Sequence, residues 1–159
     1  STKVLAWQKD AMESMERKSI TDRFVPPVLI DVRKNWQEIK PCLEEILKQN
    51  PNLTFLPEDV YSECVNERAF LFASPIGFMV FTIETDRYTK DKTLYMWIAY
   101  TYTKGANQWV AHKDWLNTVA KHFDCKYIEA QSNVDKLEPY AIKHGWTLDT
   151  RIYRRQVDE

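Results

Sequence analysis

"TLYMWIAYTYTKGANQWVAHKDWLNTVAKHF", residues 93–123, joins two kinds of pattern across one glycine. The apolar run ending at Tyr102 predicts a strand that lies centrally in a sheet. Beyond Gly105, the residues Val110, Leu116, Val119, Ala120 and Phe123 recur with helical spacing, which predicts an amphipathic helix with those side chains buried. A helix N-terminus that follows such a turn carries unpaired amides and the positive end of the helix dipole, which together favour an anion. The turn therefore either cradles a phosphate or only changes the direction of the chain.

Upstream, "STKVLAWQKDAMESMERKS" places Val4, Trp7, Ala11 and Met15 near helical spacing, so residues 1–24 are expected to form an N-terminal amphipathic helix. Its narrow apolar stripe would dock on its own domain, on a second copy or on a larger assembly. "FVPPVLIDVR" breaks at Pro26 and Pro27 and resumes as a β-branched strand. Trp36, Ile39, Leu43, Ile46 and Leu47 mark a helix ending before Pro51, with Pro41 predicting a kink or a late start. Pro57 suits the first turn of a short helix in "LPEDVYSECVNER".

"AFLFASPIGFMVFTIETD" reads as two strands about a turn at Pro75 to Gly77. "CKYIEAQS" is a further strand, and "VDKLEPYAIKHGW" a short helix capped at Gly145. "TLDTRIYRRQVD" is expected as the closing strand. An antiparallel meander that feeds a strand–helix–strand crossover is a mixed α+β order, with about six strands flanked by helices.

A chain of 159 residues with 44% hydrophobic and 13% aromatic side chains can bury a core as one domain, here residues 25–159. The 22 basic against 23 acidic residues give a net charge of −1 and no electrostatic warrant for nucleic acid. No run approaches the roughly 20 apolar residues of a membrane span. No apolar signal core appears near the N-terminus, so a soluble, cytoplasmic protein is expected. Cys42, Cys64 and Cys125 are odd in number and lack metal-ligand spacing, so free thiols and no metal are expected. No nucleophile elbow, Walker, dinucleotide or zinc-protease motif occurs.

The order of elements over residues 25–157 resembles the GNAT acyltransferases, and "MWIAYTYTKGANQWVAHKDWLNTVAKHFDCKYIEAQSNVDKLEPYAIKHGW" resembles them in residues too. Asn133, Tyr140, Gly145 and Trp146 fall in the family's order. The resemblance implies an acyl-CoA-dependent N-acetyltransferase acting on an amine of a small molecule or a protein. It implies acetyl-CoA as co-substrate, held through Tyr100, Thr101, Tyr102, Lys104, Gly105, Ala106, Asn107, Gln108 and Asn133. Laid on the family's Gln/Arg-x-x-Gly-x-Gly/Ala motif, Tyr102 takes the first position, Gly105 the first glycine and Asn107 the last. A shift of one residue would give Ala106 that last place instead.

The resemblance also implies Tyr140 as the proton donor to the departing thiolate. Counting forward from Asn133 selects Tyr140, whereas counting back from Gly145 and Trp146 selects Ala141. As the base, Glu129 or Glu84 is available at a strand end, although a solvated charge is the plainer reading of each. Likewise Tyr140 reads as a core aromatic, and His112 and His122 as exposed polar positions. Two other functions stay open: a degenerate GNAT fold kept for binding, and a structural or assembly protein contacting partners through the N-terminal helix. Divergent GNAT-like chains of tailed phages show similarly poor cradles, and such an origin would place the protein in a virion.

Overall fold

The structure is a computed structural model that describes residues 25–102, 112–132 and 134–158. The expected N-terminal helix, the turn from Lys104 to Gln108 and Asn133 lie outside those residues. In chain order the elements are β1 (Val28–Leu29), α1 (Val32–Gln49), α2 (Pro57–Val65), β2 (Ala69–Ser74), β3 (Gly77–Thr85), β4 (Lys92–Thr101), α3 (Lys113–His122), β5 (Tyr127–Ala130) and α4 (Leu137–Lys143).

Local chemistry sets the helix starts. The Asp31 carboxylate accepts from the Arg33 amide at 2.9 Å, satisfying an amide that α1 leaves unpaired. Pro41 sits inside α1 without ending it, although it removes one amide from the helix ladder. In α2, Pro57 occupies the first turn and the Asp59 carboxylate accepts from the Leu56 amide at 2.8 Å.

The five strands form one sheet in chain order. All neighbours are antiparallel except β4 and β5, which run parallel across the α3 crossover. α1 and α2 cover one face, burying Ile39, Leu43 and Val60 against Leu71, Ala73, Phe78, Val80 and Ile98. α3 covers the other, where Leu116, Val119 and Ala120 pack on Met79, Phe81, Leu94 and Met96. Trp115 reinforces that layer with its ring 5.7 Å from Phe72 and 6.2 Å from Phe81. The described part is thus three layers, helix–sheet–helix.

One irregularity matters for everything that follows. β3 and β4 pair Val80 with Ile98 but Phe81 with Met96, leaving Trp97 as an extra residue. Such a bulge reverses the phase of alternation along the strand. Leu94 and Met96 accordingly pack under α3, whereas Ile98 and Tyr100 turn to the α1 face.

The expected count of about six strands is corrected to five among the described residues. The segment 147–158 forms no strand and is exposed throughout. Its apolar residues do not alternate, since Ile152 and Tyr153 are adjacent, and Arg151, Arg154 and Arg155 favour solvation over pairing. Gly145 ends α4 with φ of +88°, in the left-handed region that glycine alone adopts freely. Gly145→Ala is therefore expected to cost about 1 kcal/mol, read as a small fall in thermal midpoint.

Candidate functional site

The parallel pair β4–β5 is joined at one end and open at the other. At the joined end, the Lys126 amide donates to the Lys92 carbonyl at 2.8 Å, and Lys126 Nζ lies 3.4 Å from the Asp91 carboxylate. The exposed ion pair adds little stability by itself, so the backbone ladder does most of the holding. That ladder runs from Thr93 opposite Tyr127 to Met96 opposite Ala130, then stops. β4 continues for five more residues, Trp97 to Thr101, with no β5 partner. β5 itself ends at Ala130, one residue short of the level of the Trp97 bulge in β4. A gap beyond the carboxyl ends of parallel strands is where open α/β sheets commonly take ligands.

Two tyrosines stand on the α1 side of this gap. Tyr100 stacks on Phe78 at 5.3 Å with a 19° interplanar angle, and meets the Tyr102 ring edge-on at 5.7 Å. The Tyr102 amide donates to the Ile76 carbonyl at 2.9 Å, which ties the end of β4 to the β2–β3 turn. The Tyr100 hydroxyl donates to Glu45 Oε2 of α1 at 2.7 Å. Burial, the hydrogen bond to Glu45 and the proximity of Cys42 raise the Tyr100 phenol well above its ordinary value. Desolvation and then Cys42 push Tyr102 up to about 12 although the residue is 41% exposed. Both phenols are neutral hydroxyls at physiological pH.

The remaining candidates fall elsewhere. Glu129 occupies the face of β5 opposite Ile128, as the two-residue alternation predicts, and is exposed. It is brought together with Glu84 around Tyr95, whose phenol is raised by burial and by both carboxylates. Tyr140 lies on α4, half-buried, with its ring edge-on to His144 at 4.6 Å. No hydrogen bond or ion pair joins Glu129 to Tyr140 among the described residues. Lys104, Gly105, Ala106, Asn107, Gln108 and Asn133 belong to the undescribed stretches, so of the expected CoA-binding residues only Tyr100, Thr101 and Tyr102 are placed.

The expectation of an exposed His112 is corrected. It caps the start of α3 partly buried, and desolvation together with nearby His144 lowers its basicity. His122 is exposed as expected. Cys42, Cys64 and Cys125 are free and half-buried, and burial raises all three, Cys64 to about 11. Thiols of that kind stay protonated and are poor nucleophiles. No group of three His, Cys, Asp or Glu side chains suited to a metal occurs among the described residues, nor does a helix long and apolar enough to cross a membrane.

Glu45 was not singled out by its sequence context. It lies inside an ordinary amphipathic helix and meets Tyr100 across 55 residues of chain, a pairing that local spacing does not encode.

In sequence, no family model and no curated protein matches the chain. In structure, it is similar to a protein described as a probable acetyltransferase, with TM-score 0.63 and 11% identity over 84% of this chain and 99% of that one. It has the GNAT fold. A ribosomal-protein-alanine N-acetyltransferase from Brucella melitensis biovar Abortus 2308 matches at TM-score 0.59 and 13% identity, over 82% of this chain and 99% of that one. An aminoglycoside acetyltransferase from an uncultured soil metagenomic sample, solved in complex with sisomicin, matches at 0.58 and 9%, over 84% and 95%. These likenesses establish the GNAT architecture, and the expectation of a phage-type protein gains no support from them.

Proposed function

We propose that the protein is an N-acetyltransferase that moves an acetyl group from acetyl-CoA to an amine. The observation that carries the reading is the end of the parallel β4–β5 pairing at Met96 and Ala130, beyond which β4 runs on to Thr101 without β5. The fold supports it, since the acetyltransferases named above share that architecture. An open edge of β4 from Trp97 to Thr101 suits an extended ligand with amide groups, which can pair with free strand backbone. Tyr100, Thr101 and Tyr102 would line that edge, and the glycine turn from Lys104 to Gln108, with Asn133, would receive the phosphates.

Bound acetyl-CoA supplies a thioester carbonyl for attack by the amine nitrogen, a C–N bond forming as the C–S bond breaks. The chain's own part is proton handling. Glu129 would take the proton lost by the amine, through water, and Tyr140 would give one to the departing sulfur. The Tyr140 ring meets that of His144 edge-on. An amine of a small molecule or of a protein is the acceptor in this reading.

Thermal unfolding with millimolar acetyl-CoA tests it, with desulfo-CoA and ADP as comparators. Ligand at about 100 times its dissociation constant stabilises by roughly 2.7 kcal/mol, a rise of about 5–10 °C for a chain of this size. Gly105→Val is expected to abolish the rise while leaving the unliganded midpoint nearly unchanged. No rise with the wild-type protein would favour a GNAT fold kept for binding another partner.

A further inference from the structure

α1 and α2 share one face of the sheet, whereas on the other face α3 packs over β3 and β4. A helix is about 10 Å across and strands lie about 4.8 Å apart, so one helix shelters roughly two strands. β1 and β2 lie to one side of that pair in the sheet. Among the described residues after β5, only Trp146 brings an apolar side chain to the cluster under α3. The β1–β2 side of this face therefore has no described helix of its own.

Its side chains are apolar all the same. Leu29 pairs with Phe72, and Phe70 with the buried Phe81, so that all of them share the face of α3. Leu29 is 59% exposed, and Phe70, Phe72, Trp115 and Phe123 are half-buried. From the edge of α3, Trp115 reaches Phe72 at 5.7 Å and Phe123 reaches Phe70 at 4.5 Å. These two rings form one wall of a shallow groove, with Phe70 and Phe72 as its floor and Leu29 as its far rim. Two strand spacings make it about 10 Å wide, which is the distance at which a second helix packs beside a first. A contiguous apolar strip of this kind marks a contact surface.

We infer that residues 1–24 of the same chain occupy this groove, laying the stripe of Val4, Trp7, Ala11 and Met15 along Leu29, Phe72 and Phe70 beside α3. Chain continuity selects this occupant, because residues 1–24 lead through Val25, Pro26 and Pro27 directly into β1, the strand that bears the rim. Lengths agree as well. As a helix the stripe is about 17 Å long, and the six residues of β2 span about 20 Å. Lys9, Glu13 and Glu16 fall on the opposite side of such a helix and stay in water. The stretch from Glu16 to Pro27 is long enough for the chain to turn back on the sheet, and so short a tether gives the segment a high effective concentration at its own groove. The N-terminal segment is then part of the domain's second helical layer and not a handle for a larger assembly.

NMR of the full wild-type chain tests this, with nuclear Overhauser contacts expected between the Leu29 methyl groups and side chains of Val4, Trp7, Ala11 or Met15. Thermal unfolding supplies the energetic half. Leu29→Thr keeps a residue suited to a strand while removing apolar bulk, and is expected to lower the midpoint by about 3 °C. Trp7→Ala is expected to lower it by about 6 °C, and Glu13→Gln, on the opposite side of the helix, hardly at all. In the Trp7→Ala background, Leu29→Thr is expected to have less than half its effect, because substitutions at residues in contact do not add. Sedimentation is expected to show a monomer. Missing Overhauser contacts, full additivity of the two substitutions, or a dimer in which the contacts run between copies would each overturn the assignment. None of these readouts depends on acetyl-CoA, so the acetyltransferase reading stands or falls separately.

Discussion

Replacing Gly77 by alanine is expected to cost about 3 kcal/mol, the upper part of the range for overpacking, and to lower the thermal midpoint by about 6–12 °C. Gly77 pairs with Thr101 at the start of β3, and a Cβ built there would run into the Tyr100 carbonyl oxygen and lie 2.9 Å from Thr101 Cα. Both obstacles are backbone, so no side chain can swing aside. The strands must separate or the ladder must slip, and either movement breaks pairing at the end of β4. The same movement would carry Tyr100 away from Glu45. Gly145→Ala is the built-in comparison, because an added Cβ there finds Lys113 Nζ no nearer than 3.9 Å and only the backbone dihedral is strained. A midpoint shift for Gly77→Ala no larger than that for Gly145→Ala would refute the close approach of β3 and β4.

The elements that were legible in the sequence are those whose residues repeat with their own period. α1 declares itself through Trp36, Ile39, Leu43 and Ile46, all of which belong to or pack against one core cluster. The β2–β3 hairpin follows from Pro75 and Gly77, and the α4 stop from Gly145. Order of elements then sufficed for the GNAT architecture, because a meander followed by one crossover leaves few ways to build a sheet.

What failed to show was non-periodic or non-local. In "TLYMWIAYTY" the residues Leu94, Met96 and Ile98 alternate as if they shared one face, yet the Trp97 bulge sends Met96 and Ile98 to opposite sides. Nothing in that string marks the bulge, since it arises from pairing with β3. The closing strand misled for the opposite reason: β-branched and aromatic residues were present at 147–158, but without alternation they define no buried face. The Glu45–Tyr100 contact needed the fold itself before it could be seen. The approach of His112 to His144, which caps the end of α4, is likewise set by the fold and not by local sequence.

Phe78→Ala is expected to lower stability by about 3–5 kcal/mol, the usual range for deleting a fully buried aromatic ring. Phe78 is 0% exposed and packs with Val80, Ile98, Ile39 and Leu43 between the sheet and α1. Helix and sheet do not collapse onto the void independently, because the Trp36–Tyr61 ring contact at 5.0 Å also ties α1 to α2. The lost stack under Tyr100 adds its own term of about 0.5–1.5 kcal/mol, and the phenol loses the ring it lies nearly parallel to. Phe78→Leu keeps most of the volume and removes only the stack, so about 1.5 kcal/mol is expected for it. Chemical denaturation with the two variants separates the contributions. If the leucine variant retains wild-type stability and near-ultraviolet tyrosine dichroism, Phe78 fills space without orienting Tyr100. If the dichroism falls while the leucine variant stays folded, Tyr100 is positioned from beneath by Phe78.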